Sequence, residues 1–237
     1  MEEQARYNSY HNIYELNVLA NCDLSVYNAV IPSSKYLFGL GSFDDYSDSD
    51  EDDVYYNNIT RLQDDIEYLV LSSQHKRKIS RFPQGLKFLN ILFNYSHVLD
   101  NLPSGLVHLV LSVGFNAGDI LNYLPAGLQY LVIQSNSNRF EVDLDNLPFG
   151  LQYLSLGSIN NCYSSLDFLP TGLKCLVMPQ YYRGDLWNLP PNLEILDLYG
   201  GYEGRIDELP DTVNKIIISA QRGYDIADEY VHLVVAL

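Results

Sequence analysis

Basic side chains are scarce in this sequence: 14 Lys and Arg stand against 30 Asp and Glu, for a formal charge of −16. A chain so acidic repels phosphate backbones and anionic headgroups at long range, so neither nucleic acid nor a membrane surface is expected as a partner. Cysteine is nearly absent. Cys22, Cys162 and Cys175 are odd in number and share no short spacing, which excludes a disulfide framework and a four-cysteine zinc site. They are expected to be reduced thiols in or beside the core.

Long apolar runs are missing too, and the opening Met1-Glu2-Glu3-Gln4-Ala5-Arg6 is acidic where a secretory leader is basic and then apolar. These features lead us to expect a soluble cytoplasmic protein. The five histidines, His11, His75, His97, His108 and His232, are scattered with no zinc-ligand spacing. There is no nucleophile elbow, Walker loop or dinucleotide fingerprint. Neither a cofactor nor catalysis is expected. His108 and Cys175 fall in one column of the repeat described below, but three intervening strand spacings of ~4.8 Å put them roughly 14 Å apart, too far for direct acid-base cooperation.

What the chain does have is a beat. The sequence Leu-Pro-x-Gly-Leu-x-x-Leu-x-Leu recurs with prolines at 83, 103, 125, 148, 170, 190 and 210, at intervals of 20 to 23 residues. The central apolar residues keep the same period: Leu69, Leu89, Leu109, Leu131, Leu154, Leu176, Leu196 and Ile216. The last two leucines of each unit alternate, as residues sharing one strand face must, and stacking such strands in parallel buries that face continuously. The proline precedes the strand, where its missing donor does no harm, and the glycine two residues later serves a positive φ or a close backbone approach. Gly85, Gly105, Gly127, Gly150 and Gly172 hold that place, with Asn192 the best substitute if φ is positive.

A period this short leaves about a dozen residues for the return, too few for a long helix and two loops. The expected fold is a β-rich leucine-rich-repeat solenoid. Its parallel sheet lies on the concave face, with extended or 3-10 segments on the convex face, in about 10 or 11 repeats. Residues 1–60 form an N-terminal cap with irregular repeats, 61–218 the regular repeats and 219–237 a C-terminal cap strand. Ile13-x-x-Leu16-x-Val18, Leu37 with Leu40, and Tyr230-x-x-Leu233-x-Val235 are the candidate terminal strands.

The units resemble leucine-rich repeats of the FNIP type, in which Leu-Pro-x-x-Leu-x-x-Leu precedes a glycine and a Phe-Asn pair. Gly114-Phe115-Asn116 after Leu111 and Phe93-Asn94 after Ile91 match that second half, and the resemblance covers residues 62–218. Such repeats occur in social amoebae and in giant viruses of amoebae, where they are inferred to mediate protein contacts, sometimes beside an F-box. The resemblance implies a noncatalytic protein-interaction scaffold, in the host cytoplasm if the source is viral. It carries two alternatives, a ubiquitin-ligase substrate adaptor and a virion or structural protein. No F-box pattern is visible in residues 1–60.

If the leucines face inward, the residues between them are expected to face the concave surface, the expected interface. One column reads Tyr68, Phe88, His108, Tyr130, Tyr153, Cys175, Ile195 and Lys215; the next reads Val70, Asn90, Val110, Val132, Ser155, Val177, Asp197 and Ile217. A solvated face would carry more charge, and contiguous apolar patches mark contact sites. Tyr68, Val70, Phe88, His108, Val110, Tyr130, Val132, Tyr153 and Val177 are therefore the candidate partner-binding residues, for a protein partner or a second copy. The apolar stretch Val231–Leu237, at an unpaired strand edge, offers a second route to a homodimer.

The acidic insertion 44–53 lacks the turn glycine of a calcium loop and carries Ile59 at the twelfth position, so it reads as a solvated loop. Within it, Ser47 and Ser49 precede acids and are candidate phosphorylation sites for an acidophilic kinase. The cluster Lys76, Arg77, Lys78 and Arg81 follows one repeat later and is expected to attract this loop.

Overall fold

In a computed structural model the described residues are 36–40, 64–71, 79, 81–91, 99–113, 121–135, 141, 143–160, 162–198, 202–219 and 223–236. The chain divides into Met1–Ser33, wholly outside these residues, and Ser34–Leu237, which contains all of them. The expected strand at Ile13–Val18, the acidic loop with Ser47 and Ser49, Lys76–Lys78, and the Phe-Asn pairs all lie outside the described residues. Of the basic cluster, Arg81 is described, and it pairs with Asp64 at 3.1 Å.

Among the described residues twelve strands follow in chain order: β1 (Tyr36–Leu40), β2 (Tyr68–Leu71), β3 (Phe88–Ile91), β4 (His108–Val113), β5 (Tyr130–Ser135), β6 (Tyr153–Ser155), β7 (Cys175–Val177), β8 (Ile195–Asp197), β9 (Arg205–Ile206), β10 (Lys215–Ile218), β11 (Asp225–Ile226) and β12 (Val234–Ala236). Ten of them form one parallel sheet in the order β1-β2-β3-β4-β5-β6-β7-β8-β10-β12, and β9 pairs with β11 in a second, two-stranded sheet. The chain is a leucine-rich-repeat β-solenoid, one main-sheet strand per repeat. The sequence period is the coil period: Leu69, Leu89, Leu109, Leu131, Leu154, Leu176, Leu196 and Ile216 are partners in register from strand to strand.

These residues are fully buried and continue into one core with the leucine that opens each unit, such as Leu106, Leu128 and Leu151. The opposite wall comes from a second apolar pattern, Leu-x-x-Leu-Pro, which places Leu144, Leu166, Leu186 and Ile206 across from the sheet leucines. Where described, the return segments are mostly turns and extended stretches, with local parallel bridges at Ser135–Ile159 and Tyr182–Tyr202.

Each unit closes a turn in which the proline carbonyl accepts from the amide three residues on, from Leu86 to Pro83 (3.2 Å) through Val213 to Pro210 (2.9 Å). None of the turn glycines has a positive φ. The glycine is there for proximity. A Cβ on Gly85 would lie 2.6 Å from the Asp64 carbonyl oxygen, and one on Gly172 would lie 3.2 Å from that of Phe149. Asn192 corrects the positive-φ expectation: it too lacks a positive φ, and its Nδ2 donates to the Thr171 carbonyl at 2.8 Å. Thr212 answers similarly, with Oγ1 2.9 Å from the Pro191 oxygen. Where the preceding carbonyl lies close, as at Gly85, the position takes either no side chain or one that donates to it. Gly85→Ala is expected to cost about 1–3 kcal/mol by overpacking. Gly150→Ala, whose Cβ would sit 3.4 Å from the Ala126 oxygen, is expected to be nearly neutral. Urea midpoints of the two variants check this, and equal losses would contradict it.

At the C-terminal end the expected register shifts by one residue. Leu233 ends a 3-10 helix, Asp228–Leu233, and Val234 takes the central position opposite Ile216. The helix shortens the coil, and tyrosines supply the missing partners: Tyr230 Oη accepts from the Leu209 amide (3.2 Å), and Tyr224 Oη donates to the Leu198 carbonyl (2.8 Å). Val231 and Val235 remain exposed.

Candidate functional site

The residues between the sheet leucines line up side by side and differ in depth. Strand register places Tyr68, Phe88, His108, Tyr130 and Tyr153 side by side. Their ring centroids follow at 6.2, 6.3, 4.3 and 6.2 Å, with His108 stacked on Tyr130. Tyr68, Phe88, His108, Val110, Tyr130 and Val177 are half-buried. Tyr153 is only 1% and Val132 only 2% exposed, so these two side chains pack and offer no free surface. Val70 is in register with Asn90. Asn90 is itself buried, and its Oδ1 has no hydrogen-bond partner.

Burial lowers the His108 pKa from 6.5 to about 4. The ring is neutral at pH 7, as a stacked ring between Phe88 and Tyr130 would be. The unfolded chain takes up this proton below about pH 6.5, whereas the folded chain takes it up only near pH 4, so stability present above that window is lost as pH falls through it. Unfolding of the wild type is expected to become easier between about pH 7 and about pH 4.5 by more than that of His108→Phe, which keeps the ring and removes the titration. Urea melts at both pH values measure the difference; identical losses would contradict it.

A second ladder runs through the return segments. Cys162, Tyr182 and Tyr202 occupy equivalent places in three repeats, all buried, with the two phenol rings stacked at 6.4 Å. Tyr202 Oη donates to the Gly184 carbonyl at 3.1 Å. Gly184 must lack a side chain because a Cβ there would fall on the Tyr182 phenol. Burial, reinforced by the nearby Cys162, Asp167, Tyr202 and Asp185, raises Tyr182 to about 12. Burial also raises the Cys162 thiol, against hydrogen bonds with Ser164. Both groups are protonated at neutral pH, which leaves a phenol donor and an inert thiol.

Above Cys162 and Tyr182 opens a cleft of about 830 Å³ between the return segments of two consecutive repeats. Its walls carry Tyr163, Tyr181 and Trp187, all exposed, together with Asp167, Asp185 and Asn188. Asp167 is held from two sides: Ser165 Oγ donates to Oδ2 (2.7 Å) and Asn188 Nδ2 to Oδ1 (3.1 Å). Tyr181 (φ 55°) is the only non-glycine residue with a positive φ among the described residues. Sequence periodicity missed this site because the return segments differ from repeat to repeat. The available signal was the departure itself: Trp187 stands where the neighbouring repeats carry Asp167 and Asp207.

Other large aromatic side chains are exposed in nearby turns. Phe149 (80% exposed) follows its proline, and Phe168 (67%) precedes the next Leu-Pro. Among the described residues, no group of three or more His, Cys, Asp or Glu is arranged to hold a metal, and no helix is long and apolar enough to cross a membrane.

No protein-family model and no curated protein matches this chain. Among solved structures it is similar to CroV588, of a giant virus, described as a novel circular LRR protein structure. The identity is 17% and the TM-score 0.42, over 74% of this chain and 34% of that one. The chain thus spans about a third of that protein's length.

Proposed function

We propose that this chain is a noncatalytic scaffold that binds protein, a second copy of itself included, through aromatic side chains. The observation that carries the reading is the exposure of Phe149 and Phe168 on neighbouring repeats of the solenoid, since aromatic side chains are enriched at protein contacts. A repeat scaffold presents such residues at a fixed pitch, suited to an extended partner surface. On the sheet face, the half-buried Tyr68, Phe88, His108, Val110, Tyr130 and Val177 remain within the proposal, whereas Val132 and Tyr153 act as its packed base. Kinship with the FNIP subtype belongs to the same proposal and rests on Phe93-Asn94 and Gly114-Phe115-Asn116.

Light scattering on size-separated wild type and on a Phe149→Ser, Phe168→Ser double variant tests this reading. A wild-type dimer converted to a folded monomer would support self-contact through these side chains. If the wild type is monomeric, the double variant must lose proteins that the wild type captures from host lysate, and identical capture by both would remove the reading.

A further inference from the structure

The cleft between the 162–167 and 181–188 segments has a chemistry that protein contact through Phe149 and Phe168 does not use. We propose that it is a carbohydrate-binding site for uncharged pyranose oligosaccharides. A pyranose presents apolar CH faces and a rim of hydroxyls that both donate and accept. Tyr163, Tyr181 and Trp187 supply exposed rings on which such faces stack, with Trp187 68% and Tyr163 62% exposed. Asp167 and Asp185 supply acceptors, and Asn188 and the Trp187 indole supply donors, which matches the mixed donor and acceptor character of sugar hydroxyls. The carboxylate of Asp167 is already oriented by Ser165 and Asn188, so less ordering is left for the ligand to impose.

Three further observations narrow the class. The cleft's volume of about 830 Å³ lies within the range of small-molecule sites and exceeds what one sugar ring needs. Its carboxylates outnumber its cation, Arg183, which already lies 3.8 Å from Glu203, so phosphates and acidic sugars are repelled. A proline-rich peptide would also stack on the rings, but its backbone offers mainly carbonyl acceptors to these carboxylates. The positive φ of Tyr181 has a cost that the fold sustains, a pattern concentrated at ligand clamps.

Trp187 is the single tryptophan of the chain, so its emission reports on the cleft directly. The full chain is titrated with cellotriose, mannotriose, maltotriose and N-acetylchitotriose, alongside sialyllactose and an Arg-flanked polyproline peptide. The proposal expects a saturable emission change with at least one neutral trisaccharide and none with sialyllactose. By calorimetry, Trp187→Ala and Asp167→Ala each weaken that binding about tenfold or more. Tyr123→Ala, exposed on another repeat and outside the lining, leaves it unchanged. The exposed positions of Trp187 and Asp167 keep both variants folded, which circular dichroism checks. Three results would overturn the proposal: no saturation by any neutral trisaccharide at about 10 mM, where a millimolar site is filled; affinity unaltered in both variants; or tighter binding of the peptide. None of these results bears on the Phe149 and Phe168 contact, which is read by oligomeric state and capture.

Discussion

Leu154→Ala is expected to destabilise the protein by about 3–5 kcal/mol, the upper range for a leucine removed from a core that cannot collapse around the gap. Leu154 is fully buried and stands in register between Leu131 and Leu176, all three in the ladder of central residues. Stacked backbones on both sides fix the strand spacing, so the neighbours have little room to close on the cavity. Because each repeat leans on its neighbours, the loss also weakens the interfaces on either side. Urea denaturation followed by circular dichroism measures it. A cost under about 1 kcal/mol would mean that the ladder is not the core.

Val132→Glu is expected to cost several kcal/mol as well, although Val132 lies on the side of the sheet opposite the leucines. Its side chain is 2% exposed, and a carboxylate placed there loses water without gaining a partner. Phe149→Glu, at an exposed position, is expected to change stability by less than about 0.5 kcal/mol. The pair separates packing from contact. If Val132→Glu unfolds no more easily than the wild type, the second column is open surface after all. If Phe149→Glu proves equally damaging, the turn aromatics are structural.

Much of the solenoid was legible because its determinants are periodic. The spacing of Leu106, Leu109 and Leu111 specifies a strand with two residues on one face, and its repetition specifies the partner in register. The glycine position was half legible: crowding by the carbonyl of the preceding coil is a property of the stack, and a single unit does not reveal it. Asn192 shows the consequence, since it serves by donating to Thr171 without a positive φ. Leu233 yielded the central position to Val234 because the 3-10 helix at Asp228–Leu233 shortens the coil, and apolar spacing alone does not count rise per residue.

The candidate sites were less legible for a different reason. Alternation says which side chains share a face but not how deeply they lie, so Tyr153 and Tyr130 look alike in sequence and differ in the fold. The cleft is assembled from residues such as Tyr163 and Trp187 that break the repeat, and its chemistry depends on the juxtaposition of two coils. The buried Tyr182 ring, accommodated against Gly184, forms its floor for the same reason.

Hydroxyl-radical footprinting of the full chain, free and in its self-associated or partner-bound state, separates aromatics that pack from aromatics that make contact. Rapid oxidation of Phe149 and Phe168 is expected in the free chain, with strong protection of both on association and little oxidation of Tyr153 in either state. Oxidation of Tyr153 at a rate matching Phe149, or association that leaves Phe149 and Phe168 as reactive as before, would contradict it.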